Sequence, residues 1–582
     1  MLGAPAGHDR SMFRLAFLSV HIEDSPEARP LGAASVAAAL LAAKRPESPH
    51  LAGKLEARLV EGFVSEDASA LADRTLASDP DWIGLSAYSW NRARIAQVAA
   101  LIRERAPGVV LFAGGPEATA DPEGLLSAAP LDFLARGEGE GVVLSALELL
   151  AGGAPIDALA GIKGVALPGR ASASCRAPAL DLGLLPSPWL AGLIDPREGV
   201  LWELARGCPF HCAYCYEGKG EAGVRRFPRE RIEAELDYFV RSGAEQVFVL
   251  DPTFDADRER ARSILALIEK KAPGIAWKFE LRAEFIDRDL ARRFAALDSS
   301  VQIGLQSADP RVSALVGRKL DPRDFERRIG YLNAAGAVFG VDLIYGLPGD
   351  DFAGFAKSVD FALALQPNHL DVFPLSLLPG TELADRAEEL GLVAEGEPPY
   401  ILLSAPGFPP AGMERAAALA GACDVFYSRG RAVSWFLQAS RPLKAKPHAL
   451  LERFAAWMAS RGLRRDDPGL DAKSIEGAQL AFLREEYDRR GMPDIYPALC
   501  DIVHFNAAWG RAIAEGESSE IELSYDPDEV LGPGALDLAR FAQEARKSPG
   551  RYAVEPGPDG PRLKRAHRDR RGAGRGLGEI RQ

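Results

Sequence analysis

Arg206-Gly-Cys208-Pro-Phe-His-Cys212-Ala-Tyr-Cys215-Tyr-Glu217 decides how this chain is read. Three of the six cysteines fall within these residues, and the other three, Cys175, Cys423 and Cys500, are scattered. A disulfide framework is spread more evenly and suits small secreted chains, whereas clustered thiols are metal ligands. Three thiolates on one short loop can meet at one metal centre and leave it one ligand short. Thiolates are the usual ligands of iron–sulfur clusters. The alternative is a structural zinc site completed by His211 or by a distant residue. Such sites usually pair two-cysteine knuckles, and a second knuckle is absent.

Working outward, the cysteine loop follows an apolar run, Val200–Leu204, which opens a series of alternating elements. The further candidate strands are Gln246–Leu250, Trp277–Leu281, Val301–Leu305, Val338–Ile344 and His369–Phe373. Amphipathic stretches such as Pro228–Ser242 and Pro322–Ala335 lie between them. Six β/α repeats over residues 199–381 predict a barrel or partial barrel, in which the loop after the first strand belongs to the active face.

Upstream, residues 13–153 carry short apolar runs separated by Ala/Leu-rich helical stretches. The runs are Arg14–Val20, Trp82–Ser86, Val109–Ala113 and Leu131–Leu134. Continuous apolar strands alternating with helices predict a parallel, doubly wound sheet, whose ligands sit at the carboxyl ends of the strands. Most of these strands end in Gly or Ser. Residues 154–198 read as a Pro/Gly/Ala-rich linker. Residues 382–550 are mainly helical in pattern, as in Met413–Arg429 and Pro447–Arg461, with a short strand at Glu520–Tyr525. Residues 551–582 hold a terminal strand at Arg551–Val554, a turn at Gly557–Gly560, and a basic tail that reads as disordered.

A net charge of −13 argues against a nucleic-acid-binding body, and the apolar share of 47% is that of a globular protein. No apolar run approaches the ~20 residues needed to span a bilayer. Met1–Ser11 is polar, without the apolar core of a signal peptide, and Met12 offers an alternative start. The expectation is a cytoplasmic protein with no membrane and no nucleic-acid partner.

The spacing Cys-x3-Cys-x-aromatic-Cys resembles the signature of the radical SAM superfamily. The resemblance implies that Cys208, Cys212 and Cys215 hold three irons of a [4Fe-4S] cluster. The fourth iron then takes the amino and carboxylate groups of S-adenosylmethionine, and Tyr214 lies near the adenine. Other strand-end motifs agree in order and spacing. Asp251-Pro-Thr-Phe254 stands where the family contacts the methionine amino group, although the Gly-Gly-Glu seen in many members is missing. Glu280 and Arg282 end the third barrel strand. Leu305-Gln306-Ser307 resembles the Glu/Gln-Ser near the ribose and methionine groups, and Arg318 is placed to pair with the methionine carboxylate. Tyr345-Gly346-Leu-Pro348-Gly-Asp350 and Leu378-Pro-Gly-Thr-Glu382 resemble the family's later loops.

Residues 13–153 resemble the cobalamin-binding domain that precedes many radical SAM domains. The matching pieces are Pro30–Ala34, Gly84–Asn91, Ala113–Glu117 and Arg136–Glu140. The resemblance implies cobalamin contacts at Ser86, Tyr88, Gly114, Gly115, Gly137 and Glu138. The Asp-x-His-x-x-Gly of proteins that ligate cobalt by histidine is absent, since His21 is followed by Ile-Glu-Asp. Cobalt without a histidine ligand is therefore expected; a domain that keeps the fold without cobalamin is the alternative.

The fold class implied is α/β: an N-terminal doubly wound cobalamin-binding-like domain, a central partial (β/α)6 radical SAM barrel, and a mainly helical C-terminal segment. The cofactors implied are a [4Fe-4S] cluster, S-adenosylmethionine and cobalamin. The activity implied is a cobalamin-dependent methyltransferase acting through a 5′-deoxyadenosyl radical on a small molecule or peptide. Its electron donor would be a ferredoxin or flavodoxin. Radical cyclisation or rearrangement without methyl transfer, and a cluster-bearing sensor without turnover, are the alternatives. No catalytic side chain is readable.

Overall fold

The computed structural model describes residues 12–44, 48–171, 175–217, 223–558, 560–566 and 578–579. The chain divides into two compact units. One comprises Met1–Val301 with Ser376–Leu402, the other Gln302–Leu375 with Leu403–Gln582.

The first unit opens with β1 (Phe13–His21), α1 (Leu31–Leu41), β2 (Leu55–Phe63), α2 (Ala68–Leu76), β3 (Trp82–Ser86) and α3 (Arg92–Arg105). There follow β4 (Val110–Gly114), α4 (Pro116–Ala120), α5 (Pro122–Ala128), β5 (Phe133–Ala135), α6 (Gly139–Ala151) and β6 (Val165–Ala166). The sheet order is β2-β1-β3-β4-β5-β6. All neighbours are parallel except β6, which runs antiparallel to β5. The expected linker thus supplies a sixth strand. Apolar clusters bury both faces, with Leu18, Ile83 and Leu111 in one and Leu15, Phe17 and Phe112 in the other, which is why these strands read as continuous apolar runs.

The topology changes direction between β1 and β3, and ligands of doubly wound sheets bind at such a switch point. Asn91 fixes it. Its amide donates to Val20 O at 2.9 Å and to Ser86 O at 3.0 Å, joining the two strand ends.

The same unit continues with β7 (Val200–Trp202), β8 (Ala205–Arg206), β9 (Arg225–Arg226), α7 (Arg229–Ser242), β10 (Gln246–Val249), α8 (Arg258–Lys271), β11 (Ala276–Leu281) and α9 (Arg288–Ala296). β7, β10 and β11 are parallel neighbours. On β11, Trp277, Phe279 and Leu281 are buried, whereas Lys278 and Glu280 on the opposite face are exposed. Asp257 and Asp287 cap α8 and α9 by accepting backbone N–H groups.

The boundary falls within β12 (Ser299–Gln306), and the second unit continues with α10 (Pro310–Leu315), α11 (Pro322–Ala335), β13 (Val338–Tyr345), α12 (Phe352–Ala364) and β14 (His369–Pro374), with strand order β14-β13-β12. The intervening segment, with α13 (Glu382–Asp385) and β15 (Val393–Ala394), belongs to the first unit. After β16 (Leu402–Ser404) come α14 (Pro410–Ala422), α15 (Phe436–Ser440), α16 (Pro447–Ser460), α17 (Ala472–Arg489) and α18 (Tyr496–Ala514). A small antiparallel sheet contains β17 (Ser519–Leu523), β18 (Gly550–Glu555) and β19 (Arg562–Arg565).

The helix expected over Met413–Arg429 is α-helical only to Ala422; Cys423–Ser428 forms a π-helical turn. That turn seats Ser428 against β14, where its hydroxyl accepts from Leu370 N–H at 3.0 Å. Strand expectations at Glu520–Tyr525 and Arg551–Val554 fall on β17 and β18. Met1–Ser11, most of the basic tail and Asp559 of the expected turn lie outside the described residues.

Candidate cofactor sites

One cavity of about 610 Å³ lies within the first unit, a volume in the range of cofactor pockets. It gathers all six residues expected at cobalamin: Ser86, Tyr88, Gly114, Gly115, Gly137 and Glu138. They come from the ends of β3, β4 and β5, where small residues leave room for a flat ligand. Gly115 has φ +110°, and a Cβ there would meet Ala87 O at 2.6 Å, so only glycine makes this turn. Tyr88 stacks on Trp90 with ring centres 4.3 Å apart, and burial raises its hydroxyl pKa.

The other wall of this cavity includes Glu203, Arg206, Gly207, Tyr216 and Glu217. Those residues flank Cys208, Cys212 and Cys215 on both sides. Sequence reasoning missed Tyr216, Arg206 and Ser19, because a lone Arg, Tyr or Ser beside a motif carries no signal of its own. His21, set aside as a cobalt ligand, also lines the cavity, and its Nε2 is 3.0 Å from Glu61 Oε2.

In the cysteine loop, Cys215 N–H donates to Cys212 O at 2.9 Å, a tight turn that places two thiols close in the chain. Cys208 Sγ stands 3.8 Å from Thr253 Oγ1. Burial pushes the Cys215 thiol up to about 11; a bound metal would displace that proton. Among the described residues no three His, Cys, Asp or Glu side chains are arranged around a single metal ion. Three half-buried thiols on one loop are a donor set that fits three corners of a cluster, which are farther apart than the ligands of one ion.

The residues expected at S-adenosylmethionine fall into two groups. In the first unit, Tyr214 lies within the loop. Asp251 is buried and accepts from Leu204 N–H at 3.0 Å and from Arg260 Nη1 at 2.9 Å, so both carboxylate oxygens serve the fold. Arg282 donates Nε–H to Glu284 Oε1 at 2.7 Å, and its guanidinium lies over Phe210 of the cysteine loop. Glu280 is exposed by area yet closely surrounded; burial and the Glu217 carboxylate raise its pKa.

In the second unit, Gln306 ends β12 with φ +67°. Ser307 is buried; its hydroxyl accepts from Asp309 N–H and its carbonyl from Ser313 Oγ, both at 3.2 Å. Arg318 donates to Gly304 O at 2.6 Å. Gly346, with φ +87°, and Pro348 form a buried turn after β13.

Two stretches of the chain match known families. Residues 202–362 match the family model of the Radical SAM superfamily, and residues 22–147 match that of the B12 binding domain. The chain carries a radical SAM domain behind a B12-binding domain. These domain types imply a [4Fe-4S] cluster, S-adenosylmethionine and cobalamin, and the loop and cavity above fit them.

The chain is 29% identical over 375 residues to the cobalamin-dependent radical SAM methyltransferase TokK of Streptomyces tokunonensis, covering 60% of this chain and 54% of TokK. It is 30% identical over 385 residues to 2-(S-pantetheinyl)-carbapenam-3-carboxylate methyltransferase of Streptantibioticus cattleyicolor, with the same coverage. The chain thus spans about half the length of these relatives. Its fold is similar to that of the cobalamin-dependent S-adenosylmethionine radical enzyme OxsB, with TM-score 0.59, 14% identity, and coverage of 85% of this chain and 83% of OxsB. It is also similar to the radical S-adenosylmethionine methyltransferase TsrM from Kitasatospora setae, with TM-score 0.55, 17% identity, and coverage of 69% and 83%. Among the described residues no helix is long and apolar enough to cross a membrane.

Proposed function

We propose that the chain is a cobalamin-dependent radical SAM methyltransferase acting on a small molecule or peptide. One observation carries the reading: a single cavity is lined both by the strand ends of the B12-binding domain and by residues on each side of the three-cysteine loop. Methyl transfer to a substrate radical needs both cofactors within reach of one substrate atom, and a shared cavity supports that reading. The names of the relatives support methyl transfer over other radical chemistry.

When bound, the cluster with S-adenosylmethionine supplies a 5′-deoxyadenosyl radical and cobalamin supplies the methyl group. The protein's own part is to hold and to shield. Cys208, Cys212 and Cys215 take three cluster positions and leave the fourth for S-adenosylmethionine. Tyr214 and Glu280 are proposed to orient that molecule, with Asp251 and Arg282 supporting the loops. Ser86, Tyr88, Gly114, Gly115 and Gly137 admit the corrin. With Glu61 on Nε2 of His21, cobalt is proposed to have no histidine ligand. A ferredoxin or flavodoxin as electron donor and a cytoplasmic setting suit cluster chemistry, which oxygen destroys.

The test is product analysis after anaerobic loading with iron, sulfide and hydroxocobalamin, reduction, and addition of S-adenosylmethionine. The methyltransferase should release both S-adenosylhomocysteine, from loss of the methyl group, and 5′-deoxyadenosine with methionine. 5′-Deoxyadenosine alone would favour cyclisation or rearrangement. Neither product, from protein that holds both cofactors, would leave a sensor.

A further inference from the structure

Glu138 and Glu140, within the Arg136–Glu140 motif, line the cavity, and their carboxylates are engaged by protein groups. Glu138 accepts from Arg225 Nη2 at 2.5 Å and from Leu180 N–H at 2.6 Å, and lies 3.4 Å from Arg206 Nη1. Glu140 accepts from Arg206 Nη2 at 2.7 Å. Arg206 also donates Nε–H to Glu203 Oε1 at 2.9 Å and Nη2–H to Glu203 Oε2 at 3.1 Å. The side chains of Arg206, Glu138 and Glu140 keep only 15%, 10% and 6% of their exposure. Buried charges persist only where they are paired this fully.

The placement gives the network its meaning. Glu138 and Glu140 stand at the start of α6, beside the glycine turn of the cavity. Arg206 ends β8, two residues before Cys208, and Gly207 (φ +87°) turns the chain into the cysteine loop. One planar guanidinium therefore ties the stem of the cluster loop to the edge of the cobalamin cavity through a forked set of hydrogen bonds, which a lysine cannot reproduce.

We propose that Arg206 is a positioning residue that sets the separation of the two cofactors, with Glu138 and Glu140 as its anchors and not as cobalamin contacts. The proposal rests on the two-cofactor reading above. It accounts for acidic side chains in a motif whose glycines alone suffice to admit a flat ligand.

The experiment compares wild type with Arg206→Lys, Arg206→Met and Glu140→Gln, each loaded with the cluster and with hydroxocobalamin. After reduction to paramagnetic cluster and Co(II), pulsed EPR reads the spacing of the two spins. Wild type should give one narrow distance distribution. Arg206→Met and Glu140→Gln should broaden or shift it at least twofold in width, with iron content kept within about a third of wild type. Arg206→Lys should fall between. If Arg206→Met does not fold, the milder Arg206→Lys and Glu140→Gln decide. An unchanged distribution in folded, doubly loaded variants overturns the proposal and leaves the two-cofactor reading intact. Wild type that takes up no cobalamin overturns that reading, and the proposal with it.

Discussion

The guanidinium of Arg282 lies 3.7 Å from the ring centre of Phe210, which sits between Cys208 and Cys212. Phe285 flanks the same ring with centres 6.0 Å apart. A buried cation over an aromatic face contributes about 1–2 kcal/mol, enough to hold a short loop in the shape that a cluster needs. Arg282→Ala is expected to lower iron retained after desalting several-fold while thermal unfolding still shows one cooperative transition. Arg282→Lys should recover part of it. Full iron content in Arg282→Ala would show that the loop holds its shape without this contact.

Single Cys→Ala variants separate ligands from bystanders. Cys208→Ala, Cys212→Ala and Cys215→Ala should each lose most of the cluster signal by EPR and by iron and sulfide analysis. Cys175→Ala and Cys500→Ala should retain it. Cys423 is fully buried, so its removal tests packing instead and should cost about 1 kcal/mol or more. A normal cluster in Cys212→Ala would refute the ligand assignment.

Asp255 gives a pH signature. It is fully buried, its Oδ1 accepts from Arg282 N–H at 3.1 Å, and its Oδ2 has no hydrogen-bond partner among the described residues. Burial pushes its carboxyl up to about 8. Between about pH 4 and pH 8 the unfolded chain loses this proton while the folded chain keeps it, so stability falls as pH rises through that window. The expected loss is a few kcal/mol, on the order set by 1.36 kcal/mol per pKa unit. Asp255→Asn should flatten the profile and be relatively more stable at pH 8 than at pH 5. Urea unfolding at the two pH values checks this; an identical slope in both proteins would contradict it.

A second buried charge cluster joins the segment Ser376–Leu402 to the B12-binding domain. Arg92 Nη1 donates to Glu117 Oε2 and to Tyr400 OH, both at 2.8 Å, and lies 2.7 Å from Asp121 Oδ2. Tyr400 OH in turn donates to Glu117 at 2.8 Å. Arg92→Met leaves Glu117 buried without its cation and should cost about 3–5 kcal/mol. Tyr400→Phe removes hydrogen bonds to charged partners and should cost about 1.5–3 kcal/mol. The double variant should cost less than the sum, because the three groups act together. Strict additivity in denaturant unfolding would mean that they do not.

Central strands were legible because burial on both faces makes them continuous apolar runs; Trp82–Ser86 is found as expected. β2 was not legible. Leu55-Glu-Ala-Arg-Leu-Val-Glu-Gly-Phe63 is an edge strand that alternates charge with apolar residues, so a search for apolar runs passes over it. The barrel strands were readable as apolar runs, and α11, which begins at Pro322, from its amphipathic period. The cobalamin residues could be named because glycines at strand ends leave a recognisable trace. Arg206 could not, since its role depends on where Glu140 stands, 66 residues away in the sequence. For Asp251 and Ser307 the motif gave the place in the fold. Only the structure reveals that their polar atoms are engaged by backbone groups, Arg260 and the Ser313 hydroxyl.

The most direct test of the whole account is metal analysis of one preparation, loaded anaerobically with iron, sulfide and hydroxocobalamin and then desalted. About four irons and about one cobalt per chain are expected. Gly114→Leu, whose Cβ makes only ordinary contacts with Ala135, should fill part of the cavity and lose tenfold or more of the cobalt while keeping its iron. Wild-type protein that holds its four irons and no cobalt at micromolar concentrations would contradict the account.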